Sequence, residues 1–233
     1  MPTEEWTFSR NGHSIRNRTV LAALTNKQSN EDGTLSDEEI TFLLRRAEGG
    51  FGIVTTAASH VMENGQGWTG EMGVWGDHQI PGLTRLADGL RDYGALSLVQ
   101  IFHGGMRAPA EIIGTTPISA SINDEMTGNE PAREMTAEEV EDTIEAFAAA
   151  AERCERAGID GVEIHGAHGY LIAQFLGTIT NRREDKWGGD LTGRSRFLMR
   201  IIDAVRERTS PSFVVVVRIS PEIETLGIKI DDS

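Results

Sequence analysis

His165, His168 and Tyr170 fall within six positions of one another, directly after a short apolar stretch in which Val162 and Ile164 flank Glu163. Imidazole can donate or accept a hydrogen bond near neutral pH, and a phenol can deliver a proton to a strongly basic centre. A single histidine or tyrosine near a core reads as a satisfied polar group. Three such groups where a strand breaks at a glycine read as chemistry. The His-x-x-His spacing also permits a metal, with His103 and Glu163 completing a barrel-hydrolase set. Glu163 and His165 are two apart on a strand and share a face; the metal reading, however, leaves most of the motif that follows without a role.

The elements that must position these residues follow from periodicity. Thr19–Leu24 reads as a first buried strand ending in the polar Thr25-Asn26-Lys27-Gln28. Ser36 and Glu39 have capping-box spacing and open a helix that runs to Glu48, before Gly49-Gly50. Phe51–Ala57 is a second strand, about 79–93 a helix, and Ala95–Phe102 a third strand ending in His103. Residues 104–135 show no sustained period, and a loop of that length reads as a lid. Thr136 and Glu139 form a second capping box. Val140, Ile144, Phe147, Ala151 and Cys154 then make one helical stripe, so Cys154 is a packing thiol. Strand four carries Glu163. A helix bearing Phe197, Ile201, Ile202 and Val205 precedes strand five, Ser212–Arg218, whose valine run predicts burial on both faces. Asn11-Gly12 marks a tight turn in a small N-terminal hairpin.

Strand and helix alternate with no hairpin between major strands, which predicts α/β with parallel strands. The expectation is a single domain, 1–233, with the first five strands of a (β/α)8-type TIM barrel. On that fold, strand C-terminal ends open onto the reaction face. The 13 residues after Ser220 are too few for three more strands, so the barrel is expected to be incomplete. An oligomer or a second polypeptide would close it.

Composition bounds the function. A formal charge of −14 argues against nucleic acid and anionic membranes as partners. One cysteine excludes an internal disulfide and a multi-thiolate metal centre. The start lacks signal-peptide character and no apolar run reaches about 18 residues, which makes the cytoplasm the default.

His165-x-x-His168-Gly169-Tyr170, followed by Asn181-x-Arg183-x-Asp185-x-Trp187-Gly188-Gly189, resembles the old yellow enzyme family of flavin-dependent reductases, including the dienoyl-CoA reductase group. The resemblance covers nearly the whole chain. It implies FMN as cofactor, NAD(P)H as hydride donor and a small activated alkene as substrate. It further implies that His165 and His168 bind the carbonyl oxygen of that substrate, with Tyr170 as proton donor. Thr25, Ala58, Gln100 and Arg218 match positions around the flavin: a hydroxyl at a ring carbonyl, a small packing residue, an amide at the pyrimidine side, and a cation at the electron-accepting edge. No metal is implied. Two departures stand out. Ala23 replaces a common proline, and His103-Gly104-Gly105-Met106-Arg107 has one residue more than the usual His-x-Gly-Arg. The alternative is a non-catalytic or partner-dependent half-barrel.

Overall fold

Parallel strands need crossovers of a dozen residues or more, and the long amphipathic helices of this chain supply them. The computed structural model describes residues 3–9, 12–124 and 131–230. Strands β1 (Trp6–Thr7) and β2 (Ser14–Ile15) pair antiparallel, forming the expected N-terminal hairpin. Asn11 of its turn lies outside the described residues. There follow β3 (Val20–Leu21), α1 (Asp37–Glu48), β4 (Ile53–His60), α2 (Ile80–Asp92) and β5 (Leu96–Phe102). The short α3 (Ala110–Ile113), β6 (Ile118–Ser119) and β7 (Arg133–Glu134) lead to α4 (Ala137–Arg156) and β8 (Gly161–Gly166). Last come α5 (Leu171–Leu176), α6 (Leu191–Arg208) and β9 (Val214–Ile219).

Strands β3, β4, β5, β8 and β9 form one wholly parallel sheet in that order. Neighbours in sequence are neighbours in space, and the sheet curls as the first five strands of a (β/α)8 barrel. Every residue of β4 and β5 is buried. Helix α4 lays Val140, Ile144, Phe147, Ala151 and Cys154 into the core, as its periodicity predicts. Burial holds the Cys154 thiol up at about 12, so it packs and does not react.

Four expectations need correction. Strand β3 is only two residues long, with Val20 49% and Leu24 60% exposed, because it is an edge strand. Strand β9 is likewise an edge: Val215, Val216 and Val217 are half-buried, not covered on both faces. At α1 only half the capping box forms. Ser36 accepts the Glu39 N–H, but the Glu39 carboxylate turns inward to Asn26 and Ser29. The reciprocal box does form at Thr136 and Glu139. Finally, the described part of 104–135 packs as structure: Ala108, Ile118, Ser119, Ala120, Ala132 and Met135 are buried.

The Asn181–Gly189 run is explained by packing. Asn181 donates to the Phe175 and Trp187 carbonyls at 2.7 and 2.8 Å. Arg183 pairs with Asp185 and donates to the Ala120 and Met135 carbonyls. Trp187 is fully buried. The run ties the loop after α5 to the β6–β7 layer.

Candidate active site

Side chains two apart on a strand share a face, and parallel register fixes which strands present them together. Ala58, Gln100 and Glu163 lie on one rung across β4, β5 and β8, and one step further along the same face of β8 His165 pairs with Arg218 of β9. The rung depends on a bulge. Between Thr55 and Ala58, β4 advances three residues while β5 advances two, from Leu98 to Gln100. That extra residue brings Ala58 into step with Gln100.

All seven residues singled out in the sequence, Thr25, Ala58, Gln100, His165, His168, Tyr170 and Arg218, line one cavity of about 200 Å³ at these strand ends. Ala23, Leu24 and Trp68 complete its wall. No carboxylate lines it, in a chain whose net charge is −14. Gln100 donates from Nε2 to Glu163 Oε1 at 2.5 Å, which leaves its carbonyl oxygen and second N–H for other partners.

His165 is buried, and its Nδ1 accepts the Ala167 N–H at 3.3 Å. A ring that accepts at Nδ1 carries its proton on Nε2, so it has a donor to offer the cavity. Burial, with His168 and Arg218 nearby, pushes His165 down to about 3. The donor is therefore a neutral imidazole across the working range of pH. His168 has φ +59, beyond the end of β8, and its N–H donates to Ser220 Oγ. Burial and then Arg218 and Arg107 lower its pKa. Tyr170 sits at the start of α5, its ring 5.1 Å from that of His165 and 4.9 Å from Phe102. Burial raises the Tyr170 pKa, against the opposing pull of Arg107, so the phenol keeps its proton at neutral pH.

His103 stands apart from this group. It is buried, its Nδ1 accepts the Gly105 N–H, and its Nε2 faces Asn64. Glu163 is engaged by Gln100. Among the described residues, no group of three or more histidine, cysteine or carboxylate side chains is placed to hold a metal.

Several contributors were not visible in the sequence. Trp68 stacks on Phe102 at 5.6 Å, extending the aromatic wall from Tyr170. Beneath its loop lies a buried pair, His60 Nδ1 and Glu71 Oε1 at 2.8 Å, while Glu71 Oε2 accepts the Gly67 N–H. Burial raises Glu71 well above the usual carboxylate range and lowers His60 to about 4. Gln174 is a fully buried hub. It accepts from Met106 N and Ser119 Oγ and donates to the Gly104 and Gly169 carbonyls. Distant polar partners of this kind leave no periodic signal. The extra glycine before Arg107 did leave one: Gly105 has φ +62, and a Cβ there would lie 2.4 Å from Gln174 Oε1.

A parallel half-barrel that gathers hydroxyl, amide, imidazole, phenol and guanidinium groups around a carboxylate-free cavity belongs among the barrels that hold an anionic organic cofactor at their strand ends. The sequence matches the NADH:flavin oxidoreductase / NADH oxidase family over residues 10–230, and the chain belongs to that family. It is 39% identical over 235 residues to the probable NADH-dependent flavin oxidoreductase YqiG of Bacillus subtilis (strain 168), covering 99% of this chain and 63% of the relative. It is 38% identical over 231 residues to the NADH:acrylate oxidoreductase of Vibrio harveyi, covering 96% of this chain and 23% of that protein. The solved old yellow enzyme homologue from Zymomonas mobilis superposes with a TM-score of 0.88 at 26% identity, over 98% of this chain and 65% of that one. The chain thus spans less than two thirds of the length of each. No described helix is long and apolar enough to cross a membrane.

Proposed function

We propose that this chain builds the flavin-binding and substrate-activating face of an FMN-dependent ene-reductase that draws on NAD(P)H. One observation carries the reading: the Nδ1 contact of His165 commits its Nε2–H to the cavity that Thr25, Gln100 and Arg218 also line.

The residues suit FMN. The Thr25 hydroxyl and the free face of the Gln100 amide complement the carbonyls and imide of a flavin ring, and Ala23 and Ala58 leave room for a flat ring system. The Arg218 guanidinium makes no hydrogen bond or ion pair with a side chain or carbonyl among the described residues and lines the cavity, so its charge is available to a reduced, anionic ring. When bound, FMN supplies hydride chemistry, from a nicotinamide to an electron-poor alkene.

The protein does the rest. His165 and His168 hold the oxygen of an α,β-unsaturated carbonyl compound, where negative charge grows in the transition state. Donors fixed at such an oxygen are each worth about 10²–10³ in rate. Because its Nδ1 accepts the Ala167 N–H, the neutral His165 ring carries its proton on Nε2, where it can be donated to that oxygen. Tyr170 delivers a proton to the α-carbon, and its raised pKa keeps it loaded. Trp68, stacked on Phe102, forms part of the cavity wall.

Flavin titration followed by visible absorbance tests the binding half, and anaerobic stopped-flow with NADPH and then 2-cyclohexenone tests the chemistry. A perturbed flavin spectrum with enone-dependent reoxidation is the expected result. An unperturbed spectrum at saturating FMN would overturn the reading.

A further inference from the structure

The geometry points to Arg107 as the anchor for an anionic group on whatever ligand His165 and His168 bind, a specificity determinant that rests on the function proposed above. Gly105–Arg107 form one turn of 3-10 helix after β5, set by the positive φ of Gly105 and its bond to His103. The turn carries Arg107 across to the other side of the site. There Arg107 Nη1 donates to the His168 carbonyl at 2.6 Å, and the guanidinium carbon lies 5.1 Å from the Tyr170 ring centroid. A second cavity of about 180 Å³ opens beside it, lined by Arg107, His168, Ile223 and Thr225 among others. His168 belongs to both cavities. A ligand held at His168 therefore lies next to the cavity that Arg107 lines.

A guanidinium has five N–H donors, and here one is used within the protein. Arg107 has no carboxylate partner among the described residues, and no acidic side chain lines either cavity. The remaining donors form a planar fork, the geometry that matches carboxylate or phosphate oxygens. In a chain with 36 acidic and 22 basic residues, Arg107 stands without a carboxylate partner among the described residues, in an acid-free cavity that adjoins the His165 cavity at His168. Ligands with this chemistry come from two sources: an activated alkene bearing a remote carboxylate, or the pyrophosphate of the nicotinamide donor.

The test compares charged and neutral partners of the same shape on FMN-loaded protein. Monomethyl fumarate is set against dimethyl fumarate, both by calorimetric binding without reductant and by kcat/KM. NADH is set against 1-benzyl-1,4-dihydronicotinamide, which lacks the pyrophosphate, by the rate of flavin bleaching. Arg107→Gln should cut the preference for the charged member of one pair by about tenfold or more, from the loss of a charge-assisted hydrogen bond. Arg107→Lys should keep part of it, and added salt should erode it in the unaltered protein. Loss in the fumarate pair identifies the substrate as the anion, and loss in the NADH pair identifies the donor. Charged-to-neutral ratios unchanged in both pairs on Arg107→Gln would overturn the inference. Should the protein bind both esters yet reduce neither, the reading of function fails, while calorimetry still decides this one. Using ratios cancels any general damage from losing the bond to His168.

Discussion

Gln100 and Glu163 face each other on one rung of β5 and β8, amide nitrogen to carboxylate oxygen at 2.5 Å. The carboxylate orients the amide, so a residue that does not line the cavity determines what Gln100 offers there. Glu163→Leu should free the amide to rotate and weaken FMN binding by about 1–2 kcal/mol, roughly ten-fold. Glu163→Gln retains an acceptor and should lose less. Titration of both variants with FMN checks the order.

Tyr170→Phe removes the proposed proton source while keeping the ring against Phe102 and His165. Flavin reduction by NADPH should be nearly unchanged, and reoxidation by an enone should slow by about 10²–10⁴-fold. Stopped-flow separates the two half-reactions. Equal slowing of both would remove Tyr170 from proton delivery.

Acid should unfold this protein through its buried histidines. His103 and His165 are held at about 3 and His60 at about 4, against 6.5 when unfolded. Above pH 6.5 both states are neutral and nothing is lost. As pH falls below 6.5, the unfolded chain takes up protons that the folded one refuses, so stability drops until the folded pKa values are reached. Each group contributes at most about 1.4 kcal/mol per pH unit. Buried Glu39 and Glu71, both raised by burial, act in the opposite direction and cost stability as pH rises above their unfolded value of 4.5. His103→Asn, whose Oδ1 can still accept from Gly105, should flatten the acid limb by about one proton. Urea denaturation at a series of pH values measures that slope.

Gln174→Leu leaves the Met106 N–H and the Gly104 and Gly169 carbonyls without their partner. At about 1–3 kcal/mol for each unsatisfied buried group, a loss of about 3 kcal/mol or more is expected. Because the same amide joins the turn bearing Arg107 to the loop bearing His168, both should loosen together. Denaturant unfolding reads the stability, and hydrogen exchange at Met106 reads the local opening.

Much of this was legible in the sequence. Alternating strand and helix patterns placed all five barrel strands to within about three residues, the first of them too long, and the α4 stripe located Cys154 in the core. The seven candidate residues are those that the motif resemblance marks; register aligns Ala58, Gln100, His165 and Arg218, and Thr25, His168 and Tyr170 reach the same cavity from beyond the strand ends. What escaped were effects that depend on neighbours. The valines of β9 look doubly buried in isolation but lie at an edge. Glu39 has capping-box spacing yet finds better partners in Asn26 and Ser29. The β4 bulge inverts the period within one strand, so alternation read from Ile53 onward assigns Ala58 to the wrong face.

The stack of Trp68 on Phe102 gives the site its own optical reporter. Of the four tryptophans, Trp187 is fully buried in the loop after α5, while Trp68 forms part of the cavity wall. Its indole emission should be quenched by energy transfer when a yellow chromophore enters the cavity, and shifted when a colourless ligand displaces water from it. Trp68→Phe keeps an aromatic face and silences that signal. Occupancy can then be followed in a cuvette before any turnover is sought, and assigned to this cavity in particular.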